Sequence, residues 1–221
     1  MGGNLGCRWW RPFPWWPGIR RLGNWEWLCR VRVLGVGSIV PWARAGVGAV
    51  ATQSYANTAY GPEGLRKLGE GKSAEEVVAG LTGADSEKAV RQLAVLGVGG
   101  KPAVFTGSGC LAWAGAKVGE HYAVQGNILA GEAVVEGMAK AFEEGSGTLA
   151  ERMLAALEAG GDRRGMQSAA LLVVREGWGY GGQNDRYMDL RVEDHAEPIA
   201  ELRRLHDLHR KTFPRPKAAG K

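Results

Sequence analysis

Residues 91–108 read RQLAVLGVGGKPAVFTGS, two short apolar runs joined by Gly99 and Gly100. Each run has the length and the Val, Leu or Phe content of a β-strand, and paired glycines suit a tight turn between antiparallel strands. This stretch therefore predicts two neighbouring antiparallel strands, at 91–98 and 101–108.

The elements on both sides of this pair are grouped in a similar way. Strands are expected at 33–40, 47–53, 121–127, 168–175 and 187–192. Helices are expected at 61–71, 74–82, 131–144, 148–160 and 197–211. A capping box of Ser73 and Glu76 marks the start of the second helix. Because strands and helices both come in adjacent pairs, the sequence predicts an α+β fold with antiparallel sheets rather than a parallel βαβ array.

The composition is typical of a globular protein. Charged residues make up 23% and hydrophobic residues 45% of the 221 residues. No run of 18 apolar residues occurs, so no membrane association is expected. Three cysteines are too few for a disulfide scaffold, and they indicate a reducing, cytoplasmic location.

The net charge of +5 is concentrated in residues 1–32, which hold six Arg and one Glu. The remaining residues carry 22 basic and 22 acidic side chains. A nucleic-acid-binding domain needs a basic surface on its folded body. Nucleic acid is therefore not an expected partner.

Residues 1–32 differ from the rest of the chain in composition as well as charge. They hold six of the nine Trp and three Pro, and they follow neither a helical nor a strand period. One interpretation is a disordered tail, and a second is a Trp–Arg segment that binds membrane or single-stranded nucleic acid. A third, which we favour, is a reading-frame error. On this basis the segment is expected to add no native strand pair to the domain.

The single Trp codon, TGG, constrains the reading-frame hypothesis. Shifted by two bases, the Trp15–Trp16 junction must encode Val and the Asn24–Trp25 junction must encode Leu. The degenerate codons permit the string VARDPETGELGVAVQS, which is typical of a β-hairpin with a DPETG turn. One inserted or deleted base near Val31 would restore the frame that is used downstream.

Six segments carry a family resemblance: VPWARAGVGAVATQ (40–53), YGPEGLRKL (60–68), SAEEVVAGL (73–81), YAVQGNILAG (122–131), GGDRRGMQSAALLVV (160–174) and LRVEDHAEP (190–198). In their residues and their order they resemble the bacterial domain of unknown function 1028 family, over about residues 33–209. Members of that family look as if they begin with a hairpin similar to the shifted-frame string.

That family in turn resembles the N-terminal-nucleophile (Ntn) hydrolases. The resemblance implies a four-layer αββα sandwich, in which two antiparallel sheets lie between helix layers. It also implies a single domain at 33–211, preceded by the aberrant segment 1–32 and followed by a flexible tail at 212–221.

An Ntn hydrolase uses the first residue of its mature chain, so the resemblance implies an amidohydrolase for a small amide or peptide-like substrate. A Thr, Ser or Cys side chain attacks the carbonyl carbon while the free α-amine takes the proton. The residue after Met1 is Gly2, which has no nucleophile. As written, the chain is expected to be inactive. The alternative is a non-catalytic binding or assembly protein on the same fold, because fold does not imply function.

Polar residues beside turns and at strand ends supply the candidate site. In GGDRRGMQS (160–168), Asp162 is a candidate to orient the nucleophile's amine and Ser168 to hydrogen-bond it. Arg163 is a candidate to hold a substrate carboxylate with two hydrogen bonds. Gln125 and Asn127, at the end of a predicted strand, are candidates to donate to an oxyanion.

Gln53 ends another predicted strand and is a candidate substrate-binding residue. Each of these groups also has a structural interpretation. The Asp–Arg pair could cap the preceding helix, and the amides could satisfy backbone groups in turns. A small amide or peptide-like ligand and a homo-oligomer are the partners that the sequence leaves open.

No metal and no cofactor is expected. Glu193, Asp194 and His195 are adjacent on a predicted strand end, and adjacent strand side chains point to opposite faces. His206 and His209 lie one turn apart on a charged helix, which predicts a solvent-exposed face.

Overall fold

The structure is a computed structural model, and it describes residues 7–8, 25–31, 33–160 and 166–214. Its strands are β1 (Cys7–Arg8), β2 (Trp25–Val31), β3 (Pro41–Arg44), β4 (Gly48–Ser54), β5 (Arg91–Gly97), β6 (Ala103–Thr106), β7 (Gly115–Val118), β8 (Ala123–Gly126), β9 (Ser168–Val174) and β10 (Arg186–Val192). Its helices are α1 (Tyr60–Gly69), α2 (Ala74–Gly83), α3 (Glu132–Glu144), α4 (Leu149–Ala159) and α5 (Pro198–Thr212).

The strands form two antiparallel sheets, which confirms the α+β prediction. The larger sheet has six strands in the order β10-β9-β2-β1-β8-β7, and the smaller has four in the order β3-β4-β5-β6. Neighbouring strands in both sheets are antiparallel. The pairing of β5 with β6 is the hairpin predicted at 91–108.

Alternate residues of β9 contribute to two separate apolar cores. Ala170 and Leu172 belong to a core shared with the four-stranded sheet, α1 and α2. Ala169 and Leu171 belong to a core shared with α3, α4 and α5. Successive side chains of a strand point to opposite faces, so the six-stranded sheet packs on the other sheet with one face and on helices with the other. Within the described ranges, no helix has both the length and the apolar character that a membrane span requires.

All five predicted helices form, because their start signals are local. In the capping box of α2, Glu76 N donates to Ser73 Oγ at 3.1 Å and Ser73 N donates to Glu76 Oε2 at 2.8 Å. Such a cap stabilises a helix by about 1 kcal/mol. The helix α5 extends through Thr212. The rest of the predicted tail, from residue 215 onward, lies outside the described residues.

The strand predicted at 33–40 does not form. Val36–Ser38 make a short 3₁₀ turn, Gly35 has a left-handed backbone with φ of 70°, and β3 begins only at Pro41. Glycine readily adopts a positive φ, so an apolar run interrupted by glycines is as compatible with a buried turn as with a strand.

The expectation that residues 1–32 add no native strand pair is wrong, since β1 and β2 pair at Arg8 opposite Leu28. β2 pairs with β9 in an unbroken register, from Trp25 opposite Val174 to Val31 opposite Ser168. β1 lies between β2 and β8 and pairs with both. The facing edges of β9 and β8 would otherwise leave buried backbone N–H and C=O groups without partners, and these two strands supply them.

Candidate functional site

A buried side-chain amide, that of Gln92, connects the two sheets. Its Oε1 accepts hydrogen bonds from Gln53 Nε2 at 2.6 Å and from Asn127 Nδ2 at 3.3 Å. Its Nε2 donates to the carbonyl oxygens of Gly115 at 3.1 Å and Gly126 at 2.9 Å. Since Gln92 and Gln53 lie in the four-stranded sheet and the glycines in the six-stranded sheet, this one amide fixes the two sheets relative to each other.

A row of residues across β4, β5 and β6 positions the cluster. Gln53 lies opposite Gln92, which lies opposite Thr106, and Gln92 Nε2 also donates to Thr106 Oγ1 at 3.0 Å. Residues opposite each other in antiparallel strands point to the same face, so all three face the six-stranded sheet. Sequence reasoning singled out Gln53 and missed Gln92. The pairing of the Gln53 strand with the 91–108 hairpin is the signal that could have found it.

Gln125 is a buried amide of a different kind. It is fully buried in β8, and neither Oε1 nor Nε2 has a hydrogen-bond partner among the described residues. Ala123, two residues earlier on the same face, lies in the core shared with the four-stranded sheet. Gln125 therefore points between the sheets. A buried polar group left unpaired costs on the order of 1–3 kcal/mol, which marks this amide as one that a bound molecule would satisfy.

The strand register brings these groups to one end of the six-stranded sheet. β8 and β2 end there, and β1 and β9 begin there, because each neighbouring pair is antiparallel. Asn127 follows β8, and Ser168 opens β9. We call this region the amide end and define it by Gln53, Gln92, Gln125, Asn127 and Ser168.

Ser168 is buried, and its hydroxyl holds the turn that replaced the predicted 33–40 strand. Ser168 Oγ donates to the Val33 carbonyl oxygen at 2.5 Å and accepts a hydrogen bond from Val36 N at 3.2 Å. The hydroxyl proton is thus committed to Val33. The structure places Ser168 as a residue that positions the turn, and its predicted contact with an amine stays a prediction.

An open pocket of about 370 Å³ lies beside this turn. It is lined by both apolar and polar groups, namely Val33, Val36, Ile39, Val40, Ser54, Tyr55, Ala56 and Arg91. Gln125 and Asn127 do not line it. Asp162 and Arg163 lie outside the described residues. That these four residues form one site therefore stays a prediction.

A second polar cluster, which the sequence analysis did not predict, surrounds Asp85 beside α1 and α2. Asp85 Oδ2 accepts hydrogen bonds from Tyr60 Oη at 2.7 Å, Arg91 Nε at 3.0 Å and Asn57 Nδ2 at 3.3 Å. The Tyr60 hydroxyl and the Arg91 guanidinium hold the pKa of Asp85 well below its usual range. Burial and the Asp85 hydrogen bond raise the pKa of Tyr60 well above its usual range. The cluster fixes Arg91 at the edge of the pocket.

The histidines of α5 are not arranged as predicted. His206 is fully buried, so the expected solvent-exposed face is wrong for this residue. Leu202, one turn earlier on the same face, is also buried. Burial lowers the pKa of His206 and of the half-buried His209. In the part of the chain that the structure describes, no group of three or more His, Cys, Asp or Glu side chains is placed to hold a metal ion.

The fold is α+β, with two packed antiparallel sheets and buried side-chain amides at one end. The family described as "Family of unknown function (DUF1028)" matches residues 29–202, and the chain belongs to this family. A similar solved structure is the crystal structure of protein SPO2555 from Silicibacter pomeroyi, assigned to the same family. It is 28% identical, with a TM-score of 0.82 over 94% of this chain and 89% of that chain. A search of curated proteins found no match.

Proposed function

We propose that the chain has an Ntn-hydrolase-like fold with the four-layer αββα arrangement, and that its frame-corrected form is an amidohydrolase for a small amide or peptide-like substrate. The placement of the helices supports this arrangement. α1 and α2 share an apolar core with the four-stranded sheet, and α3, α4 and α5 share another with the outer face of the six-stranded sheet. The two sheets pack against each other between these helix groups. The reaction class rests on the resemblance of the family to the Ntn hydrolases.

The observation that carries the proposal is the set of buried side-chain amides at the amide end. Amide N–H groups held in a water-excluded site stabilise the negative charge that develops on a carbonyl oxygen under attack. Asn127 donates one N–H to Gln92, and the Gln125 amide is unpartnered among the described residues. Gln92 fixes the orientation of Gln53 and Asn127, and this preorganisation is what an oxyanion site requires.

The remaining roles follow from the position of the 161–165 segment. This segment connects α4 to β9 and therefore leads into the amide end. Arg163 is five residues before Ser168, so it lies within about 17 Å of Ser168 even along an extended chain. We assign to Asp162 the orientation of the nucleophile's amine and to Arg163 the binding of a substrate carboxylate. We assign substrate contact to Gln53.

The reaction requires a Thr, Ser or Cys at the start of the mature chain, and we propose that a reading-frame error in residues 12–31 hides it. The position of β2 supports this proposal. The second strand of the hairpin predicted from the shifted frame covers the same positions as β2. There the Trp25–Glu26 junction must encode Gly, and the Trp27–Leu28 junction must encode Ala or Val, which suit a buried strand.

The sheet register supports the same proposal. Glu26 pairs with Val173 and Arg30 pairs with Ala169, and both partners are buried in the apolar core with α3, α4 and α5. Strands covered on both faces are typically apolar throughout, and Glu and Arg are almost never fully buried unless paired. At the first of these positions the shifted frame encodes Gly, a small residue that suits a strand partner in the apolar core.

The test is to resequence the first hundred or so bases of the gene and to produce both chains. In the shifted frame the Arg11–Pro12 junction permits a Thr. We expect the frame-corrected chain, with this Thr at its N-terminus, to release amine or ammonia from a panel of small amides. Replacing this Thr by Ala is expected to lower the rate by about a thousandfold or more, because little beyond binding and oxyanion stabilisation remains.

Intact mass and circular dichroism serve as controls for the start and the fold of each chain. A corrected chain that folds and hydrolyses no amide would contradict the proposal. So would hydrolysis that survives the loss of the Thr side chain.

A non-catalytic binding protein is the second candidate, and one observation favours it. The amide of Gln92 and the hydroxyl of Ser168 are engaged within the chain, as is typical of polar groups that specify a fold. Titration calorimetry on the Thr-to-Ala chain separates the two functions. Retained binding of an amide that the corrected chain does not turn over would favour the binding protein.

A further inference from the structure

Five aromatic side chains surround a pocket of about 440 Å³. Trp178 and Tyr180 come from the loop between β9 and β10, Tyr187 from β10, and His209 and Phe213 from α5 and its C-terminal end. We call this site the aromatic pocket. Its size and its ring-rich lining are typical of small-molecule sites.

The rings contact one another in sequence around the pocket. Trp178 meets Tyr187 edge to face, with centroids 5.1 Å apart, and Tyr187 meets His209 in the same way at 5.2 Å. His209 lies 5.1 Å from Phe213, and Phe213 meets Tyr180 edge to face at 6.0 Å. Since Trp178 and Tyr180 are two residues apart on one loop, the series returns to its start. The rings therefore form a continuous row along the pocket, with Tyr180 and Phe213 at its exposed end.

The loop that carries two of the rings is held in one shape by its backbone. Gly179 N donates to the Asn184 carbonyl oxygen at 2.7 Å, and Gly182 N donates to the Gly179 carbonyl oxygen at 2.8 Å. A Cβ on Gly179 would lie 1.8 Å from Asn184 Oδ1, so only glycine fits there. Gly181 has a φ of 64°, which also favours glycine. A site preorganised in this way loses little entropy when a ligand binds.

The pocket also contains two buried polar atoms. Tyr187 Oη and His209 Nδ1 are buried and have no hydrogen-bond partner in the described ranges of the chain. Burial lowers the pKa of His209, and a hydrogen bond to the Tyr187 backbone opposes this shift. Buried polar groups are normally paired in folded proteins. Both groups are thus available to a ligand hydroxyl or N–H, or to water.

The charges around the pocket do not favour an ion of either sign. The guanidinium of Arg175 already lies 3.6 Å from the centroid of the Trp178 ring, and Arg186 also lines the pocket, so a cationic ligand would be repelled. Asp189 pairs with Arg186 at 2.8 Å and offsets its charge toward an anion. An uncharged ligand meets no such opposition.

We propose that the aromatic pocket binds an uncharged, ring-shaped ligand, whose flat face stacks against Tyr180 and Phe213. These two side chains are 82% and 44% exposed, which leaves large apolar ring surface uncovered. Sugar rings and neutral aromatic rings share the required chemistry, a flat face of C–H or π groups with polar substituents at the edge.

This pocket is separate from the amide end. It lies beyond the C-terminal end of β9, whereas Ser168 opens that strand, and seven strand residues span about 20 Å. The proposal does not depend on the hydrolase function. A test of one site leaves the other unchanged.

The experiment titrates the full chain with N-acetylglucosamine, indole and tetramethylammonium, and follows the backbone amides of the 177–182 loop by NMR. We expect saturable shifts in this loop with the sugar, with indole or with both, and the stronger of the two identifies the source of the ring. Tyr180→Ala and Phe213→Ala are expected to weaken binding by at least about fivefold, as the loss of one stacked ring implies. Tyr180→Phe is expected to retain binding.

Leu208→Ala provides the matched control, because Leu208 is 50% exposed on α5 and does not line the pocket. Thermal melts establish that each variant is folded. Because Tyr180 is 82% exposed, its replacement is expected to leave the fold intact. Absence of shifts with both neutral rings would overturn the proposal. A preference for tetramethylammonium, or equal losses in Leu208→Ala and Tyr180→Ala, would overturn it as well.

Discussion

The two ends of β9 hold their buried polar groups in different ways. At the amide end, Gln92 is tied into both sheets by hydrogen bonds. In the aromatic pocket, rings pack edge to face, and two buried polar atoms lack partners in the described part of the chain. A satisfied buried network makes a structure rigid and specific, while unpaired groups beside exposed rings suit a surface that binds. Within the amide end the same contrast separates Gln92 from Gln125.

The largest expected effect comes from Gln92→Leu. The substitution leaves Gln53 Nε2, Asn127 Nδ2 and the Gly126 carbonyl without the partner that each has now. At about 1 kcal/mol or more for each buried group, the free energy of unfolding should fall by at least about 3 kcal/mol. Urea unfolding measures this, with Gln183→Leu in an exposed loop as the matched control. A loss below about 1 kcal/mol would show that the cluster does not join the sheets.

Ser168→Ala is expected to have a smaller effect, a loss of about 1–2 kcal/mol, because it removes two hydrogen bonds to the 33–36 turn. Amide exchange at Val36 should become faster in the same variant. Ser38→Ala is the control, since the Ser38 hydroxyl bonds to Gly35 in the same turn but at an exposed position. Equal losses in the two variants would mean that the buried hydrogen bonds from Ser168 to the turn add nothing to the free energy of unfolding.

The pH dependence of stability tests the buried histidines of α5, the helix that carries His209 of the aromatic pocket. Burial lowers the pKa of both His206 and His209 in the folded chain, relative to an ordinary value of 6.5. Their contribution is therefore fully present above pH 6.5 and is lost as the pH falls, because the unfolded chain takes up the protons first. The acidic groups Asp207 and Glu151 oppose the shift at His206, and Arg210 reinforces it.

The measurement is the urea midpoint of the wild-type chain and of His206→Leu between pH 7.5 and 5. We expect the wild-type chain to lose stability over this range and the variant to lose less. The lowered pKa of Asp85 acts at more acidic pH, so it does not interfere. Parallel curves for the two chains would rule out His206 as a source of the dependence.

Gln125→Leu is expected to have the smallest effect. The two side chains are similar in size, and the amide that is removed has no partner among the described residues. Stability should stay unchanged or rise by up to about 1 kcal/mol, since an unpaired buried polar group is replaced by an apolar one. A loss comparable to that of Gln92→Leu would show that Gln125 is already paired. The contrast between the two amides would then fail.

Features encoded by neighbouring residues could be predicted from the sequence. The capping box of Ser73 and Glu76 and the Gly99-Gly100 turn are local, and both form as expected. The 33–40 run could not be predicted, because its turn is held by Ser168, which is far away in the chain. The strand β7 was also missed, since GAKV (115–118) is short and carries little β-preference of its own.

The candidate site was found only in part for the same reason. Gln53 and Asn127 lie at the ends of predicted strands, where polar residues are candidates for a functional site. Gln92 lies in an apolar hairpin. Its role depends on contacts with the six-stranded sheet, which its neighbours in the sequence do not indicate. In the aromatic pocket, Trp178 and Tyr180 are visible in a glycine-rich loop, but Phe213 joins them only because α5 packs beside β10.

The position of β2 has a consequence for biosynthesis. β2 and β9 pair side by side although they are roughly 140 residues apart along the chain, and pairings of such high sequence separation form slowly. During translation the first strands leave the ribosome well before their partner exists. The middle of the six-stranded sheet therefore cannot close until most of the chain has been synthesised. Until then the apolar faces of the early strands are exposed, and exposed apolar strands of this kind favour aggregation.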